Sequence, residues 1–148
     1  GIPFGTVFYK NSYVGRTFIK PTQKERESAV RLKLNVLESA VKGKDLVLID
    51  DSIVRGTTIT GLIRLLKQSG AGKVHVRISS PPFLYPCYYG TDVPSNKQLL
   101  AYAHPVEEIC SIIGADSLGY MKVSDLSSMA EGLPLCRACF DGCYPTAL

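Results

Sequence analysis

At 148 residues the chain has the size of one domain, and its 45% apolar content suffices for an ordinary buried core. Charged residues make up 20% with no long run of one sign, which argues against disorder, and a net charge of +4 without a Lys/Arg-dense stretch argues against a nucleic-acid partner. No apolar run approaches the ~20 residues that cross a bilayer, and Gly1 to Gly5 lack the charged and apolar regions of a signal peptide, so a cytoplasmic protein without a membrane partner is expected.

Gly5 to Lys10 reads as a short strand and Asn11 to Pro21 as a loop. Thr22 and Glu25 have capping-box spacing, and Val30, Leu34, Leu37 and Val41 then recur at helical intervals, so a helix is predicted that Gly43 ends. Leu46 to Ile49 is a continuous apolar run, too short for a helix; it predicts a central parallel strand buried on both faces. After a turn from Asp50 to Thr58, Ile59, Leu62, Ile63 and Leu66 form a helical stripe that Gly70 stops, and Val74, Val76 and Ile78 alternate as in a strand.

Pro81 to Pro94 is irregular. Ser95 to Gln98 has capping-box form for a short helix, and Pro105 opens another that carries Val106, Ile109 and Ile113. Ser117 to Met121 predicts a strand and Leu126 to Glu131 a last weak helix. The order strand–helix–strand–helix–strand is that of an α/β fold with a parallel sheet flanked by helices. It divides into a domain over 1–131 and a Cys-containing segment over 132–148 that lies outside the sheet.

The segment Val47 to Thr58 carries the chemistry. A strand delivers Asp50 and Asp51 at its carboxyl end, where open α/β sheets bind ligands. The turn Ser52-Ile53-Val54-Arg55-Gly56-Thr57-Thr58 then leads into a helix, whose unpaired N–H groups and dipole favour an anion. Ser52, Thr57 and Thr58 add hydroxyl donors, and Gly56 lets the backbone come close. A phosphate monoester suits the turn, and two adjacent carboxylates suit a vicinal diol; together they describe ribose 5-phosphate. Asp, Ser and Thr after a strand also serve simply to cap the next helix, and that plainer account competes for any one of these residues.

The wording Asp50-Asp51-Ser52-Ile53-Val54-Arg55-Gly56-Thr57-Thr58 resembles the motif by which type I phosphoribosyltransferases bind phosphoribosyl pyrophosphate (PRPP), and within them it is most similar to the amidophosphoribosyltransferase family. Lys10 to Ile19, Val30 to Asn35, Arg77 to Pro82 with Tyr85-Pro86-Cys87, Gly114 to Gly119 and Cys136 to Phe140 look like the same family, so the resemblance covers essentially the whole chain. It implies a type I phosphoribosyltransferase fold that is incomplete at the N-terminus. It also implies a glycosyltransferase activity that makes 5-phosphoribosylamine from PRPP and glutamine-derived ammonia, the first committed step of purine biosynthesis.

In that family Asp50 and Asp51 would hold the ribose hydroxyls and Mg²⁺, and Ser52, Arg55, Gly56, Thr57 and Thr58 would cradle the 5-phosphate. Tyr13, Gly15, Arg16 and Thr17 look like the loop that closes over PRPP, with Lys33 facing the pyrophosphate; as bare charges, Arg16 and Lys33 also read as surface cations. The resemblance further implies homo-oligomers, inhibition by purine nucleotides, and an N-terminal glutaminase domain and pyrophosphate loop that this chain lacks. The piece alone is then expected not to use glutamine.

Five cysteines in a cytoplasmic chain argue against a disulfide framework. Cys136 and Cys139 form a CxxC pair, and Cys87 and Cys143 bring the count to that of a Zn²⁺ site. The resemblance instead implies a structural [4Fe–4S] cluster on Cys87, Cys136 and Cys139 with one further ligand outside the chain. Cys110 reads as a small core residue, and His75 and His104 as ordinary histidines. Two other functions compete: a non-catalytic PRPP-sensing module of a purine regulator, which would carry a DNA-binding domain, and a phosphoribosyltransferase for a free base, which would not explain the cysteines.

Overall fold

The structure, a computed structural model, describes residues 1–10, 34–91, 93 and 95–146. Strand β1 (Phe8–Lys10) pairs antiparallel with β2 (Leu34–Val36), with Phe8 opposite Val36 and Lys10 opposite Leu34. Val7, Phe8, Leu34 and Val36 pack onto the core, and the Leu37 N–H donates to Val7 O at 2.9 Å. The helix expected to run through Leu34 and Leu37 is corrected here: only α1 (Glu38–Val41) is helical, and Leu34 to Val36 is a strand. Leu34 and Val36 flank Asn35 at a period of two, and the partner β1, far away in sequence, decides between that period and the helical one. Thr22, Glu25 and Val30 lie outside the described residues.

The main sheet consists of β3 (Leu46–Asp50), β4 (Val74–Ile78) and β5 (Ser117–Tyr120), parallel and in that order. Helix α2 (Thr57–Gln68) connects β3 to β4; α3 (Leu100–Ala103) and α4 (Val106–Ile113) connect β4 to β5. Crossovers of one hand between strands in sequential order lay their helices on one face. The core accordingly joins Val74, Val76 and Ile78 of β4 to Ile59, Leu62, Ile63 and Leu66 of α2 and to Ile109 and Ile113 of α4. Every position of the predicted α2 stripe is buried.

The strand expected over Leu46 to Ile49 forms and runs on through Asp50, but neither its central place nor its burial on both faces is found. Among the described residues β3 is an edge strand, with Val47 44% and Ile49 72% exposed. A continuous apolar run cannot report which of its two faces meets a neighbour.

Gly70 (φ 86°) closes α2, and Pro105 and Gly114 bracket α4. The turn at Asn96–Gln98 is a single 3₁₀ turn: Ser95 Oγ accepts from the Lys97 N–H at 3.3 Å, but Gln98 does not reach back as a capping box requires. Helix α5 (Val123–Met129) starts earlier than Leu126, since the Asp125 carboxylate accepts the Lys122 N–H at 2.9 Å and so fixes the first turn. Helix α6 (Ala138–Asp141) lies outside the sheet and is tied to the stretch after β4: the Leu84 and Tyr85 N–H groups donate to Cys139 O at 2.9 and 3.0 Å, and the Tyr144 hydroxyl donates to Pro86 O at 2.7 Å. No helix among the described residues is long and apolar enough to cross a membrane.

Candidate functional site

Strand β3 ends at Asp50, whose carbonyl accepts the Ser79 N–H at 3.0 Å and the Ser79 hydroxyl at 3.2 Å from the end of the neighbouring strand. Asp50 Oδ1 accepts the Asp51 N–H at 3.1 Å, and Asp51 Oδ1 accepts the Ser52 hydroxyl at 2.8 Å. Burial, joined by the charge of Asp51, holds the Asp50 carboxyl above the ordinary value of 3.8, and the Asp51 N–H opposes the shift. A pair of acids in this state gains from hydroxyl donors or a cation beside it.

Beyond the acids, Ile53 is buried and pins the turn to the core. Gly56 follows in the left-handed region (φ 76°) as the residue that opens α2, and its carbonyl accepts the Thr60 N–H and hydroxyl at 3.0 and 2.8 Å. No side chain caps α2, and no acid stands in its first turn. This weighs against the plainer account in which Asp and Ser serve to cap the helix: the first N–H groups of a twelve-residue helix are left for an anion, with Thr57 and Thr58 half-exposed beside them.

Asp50, Asp51, Ser52, Gly56, Thr57 and Thr58 are thus brought together at one end of β3 and α2. Arg55 is exposed, and its guanidinium is engaged by Gln98. Tyr13, Gly15, Arg16, Thr17 and Lys33 lie outside the described residues. Sequence reasoning missed Ser79, Gln98 and Leu100. A hydroxyl at the end of the adjacent strand was a usable signal for Ser79; nothing local marks a residue 43 positions away as the partner of Arg55. An open groove of about 500 Å³ lies beside α2 and α4, lined by Thr60, Arg64, Lys67 and Ile112 among others, and includes none of the turn residues from Asp50 to Thr58.

All five cysteines are free thiols. Cys87 Sγ accepts the Thr91 and Tyr89 N–H groups at 3.4 and 3.5 Å, and these bonds lower its thiol to about 7. Burial pushes the Cys139 thiol up, and the charges of Cys87 and Cys136 add to it, so these three sulfurs share one neighbourhood. Three soft donors, one of them close to ionisation at neutral pH, fit a thiolate-ligated group in chemistry; among the described residues, however, no three metal-ligating side chains are closed around a common point. The Cys143 thiol is directed at Asp141 O, 3.9 Å away. Cys110 is half-buried on α4, its thiol donating to Ala115 O at 3.4 Å. His75 hydrogen-bonds the Ser117 hydroxyl at 2.8 Å, and His104 meets Glu108 at 3.0 Å.

A parallel sheet with an acid pair at a strand end, followed by a glycine turn and an uncapped helix, defines a phosphoribosyltransferase-type domain. No protein-family model matches the chain. Curated relatives do: amidophosphoribosyltransferase of Methanothermobacter thermautotrophicus is 52% identical over 151 residues, covering all of this chain and 32% of the relative, and that of Bacillus subtilis is 46% identical, again over all of this chain and 32% of the relative. The solved glutamine PRPP amidotransferase of B. subtilis, complexed with ADP and GMP, superposes with a TM-score of 0.83 at 46% identity, over 99% of this chain and 33% of that one. Over its whole length the chain is similar to amidophosphoribosyltransferases, and it spans about a third of the length of these relatives.

Proposed function

We propose that this chain is the PRPP-binding part of an amidophosphoribosyltransferase, whose complete form makes 5-phosphoribosylamine, pyrophosphate and glutamate from PRPP, glutamine and water. The observation that carries the reading is the uncapped N-terminus of α2 directly behind the Asp50–Asp51 pair. The N–H groups and hydroxyls from Gly56 to Thr58 bind the 5-phosphate, and the two carboxylates accept from the ribose O2 and O3 hydroxyls. That fixes the sugar while the bond from C1 to pyrophosphate breaks and ammonia forms the new C–N bond. Positive charge grows on the ring as pyrophosphate leaves, and negative charge held beneath it lowers the barrier.

Asp50 and Asp51 suit Mg²⁺, which when bound neutralises charge on the departing pyrophosphate. Tyr13, Arg16, Thr17 and Lys33 are assigned to the pyrophosphate side by motif alone. Cys87, Cys136 and Cys139 would hold a structural [4Fe–4S] cluster, with a further ligand from outside the chain. The reading carries with it a cytoplasmic homo-oligomer that purine nucleotides inhibit; the B. subtilis enzyme, solved as a complex with ADP and GMP, supports that last point.

Calorimetry with PRPP and Mg²⁺ on the chain and on its Asp50→Asn/Asp51→Asn form tests the site. Binding that the double variant loses, and that AMP or GMP competes away, is the expected result. Binding indifferent to both carboxylates would remove the assignment.

A further inference from the structure

The turn that presents α2 is clamped by a segment that arrives from the far end of the loop after β4. Arg55 Nε donates to Gln98 Oε1 at 3.0 Å, and an Nη of the same guanidinium donates to the same oxygen. One residue beyond the 3₁₀ turn, Leu99 is buried and anchors the segment. The Leu100 N–H donates to Val54 O at 2.9 Å. The Leu100 side chain also lies directly over Gly56, where a Cβ would stand 2.6 Å from its Cδ2. Three successive residues of the turn, Val54, Arg55 and Gly56, are therefore each held by Gln98 or Leu100.

The choice of acceptor matters. An amide oxygen takes two donors of a guanidinium that has five, without cancelling its charge. Arg55 thus stays cationic beside the anion-binding helix end, while its backbone is kept in place.

We propose that Gln98 is a positioning residue of the ribose-phosphate site: through the Arg55 guanidinium it fixes the corner from which the first N–H groups of α2 are presented. Gln98 itself does not touch the ligand. The inference rests on the reading that this turn binds the 5-phosphate of PRPP.

The test is a double-mutant cycle on the 148-residue chain, with Gln98→Ala, Arg55→Ala and their combination titrated with PRPP and Mg²⁺ by calorimetry. Gln98→Ala should weaken binding by about tenfold, in the range of coupled neighbours. The combined variant should bind no worse than Arg55→Ala, and Gln98→Glu, which restores the acceptor, should bind more tightly than Gln98→Ala. Losses that simply multiply, or a Gln98→Ala affinity equal to the parent's, would overturn the proposal.

A second measurement needs no ligand. By NMR, the Arg55 Nε–H should be protected from exchange in the parent and in Gln98→Glu and lose that protection in Gln98→Ala; a parent signal as labile as that of Gln98→Ala also refutes the clamp. Gln98 is exposed, so its variants should fold, which thermal melts verify. Failure of the site reading itself looks different: PRPP binding is then absent, or insensitive to Asp50→Asn/Asp51→Asn, whatever stands at position 98.

Discussion

Asp50 stands where the ladder of β3 gives out, half-buried, with one carboxylate oxygen taken by its neighbour's N–H. Because the folded chain holds the Asp50 proton above the ordinary 3.8, folding gains from this group at low pH, where it is protonated. That gain is lost as pH rises from 3.8 through the raised folded value. Asp50→Asn keeps the acceptor and removes the charge. Its melting temperature should exceed the parent's at pH 7, and the difference should shrink toward zero near pH 3; melts across that range check it, and a constant offset would contradict the burial argument. PRPP binding should fall in the same variant, which separates a residue retained for a ligand from one retained for the fold. The acid pair itself was legible in the sequence, since strand-end acids before a glycine turn are a local pattern. The state of Asp50 was not, because burial is set by residues remote in sequence.

At the scale of elements, α2 shows the division most clearly. Ile59, Leu62, Ile63 and Leu66 announce the helix and the face it buries, and all four are in the core. Its start carries no side-chain cap: a left-handed glycine stands where a Ser, Thr, Asp or Asn would add about a few tenths of a kcal/mol. Gly56→Ala should cost about 1–2 kcal/mol in urea denaturation, the usual penalty of a left-handed L-residue. Leu100→Ala should relieve the contact with the new methyl but not the backbone strain, so it should restore only part of the loss. A Gly56→Ala loss below about 0.5 kcal/mol would show that the turn relaxes freely. Strand β2 illustrates the opposite case: Leu34 fits both a helical repeat with Leu37 and Val41 and an alternation with Val36, and pairing with β1 settles the matter.

Across the whole molecule, two features join distant parts of the chain. The face of the sheet turned away from α2 and α4 exposes Ile49 and Val47, although parallel sheets are ordinarily covered on both sides. The cysteines link the loop after β4 to the C-terminal segment, with Cys139 O receiving the Leu84 and Tyr85 N–H groups. If Cys87, Cys136 and Cys139 act together, anaerobic treatment with iron, sulfide and an added thiol should load the chain. Each of Cys87→Ser, Cys136→Ser and Cys139→Ser should abolish the loading, and Cys143→Ser should leave it intact. Tight zinc binding that depends on Cys143 would favour a four-thiolate site instead.

By itself the sequence determined the succession of strands and helices along the chain from β3 to β5, the stripe of α2, the acid pair and the glycine turn, because each is written in neighbouring residues or in a short period. Only the tertiary structure decided that Leu34 to Val36 is a strand, that β3 is an edge strand among the described residues, that the helix end behind the acids is uncapped, and that Gln98 and Leu100 hold the turn. Those outcomes depend on pairing and burial between segments far apart in the chain, which no local pattern encodes.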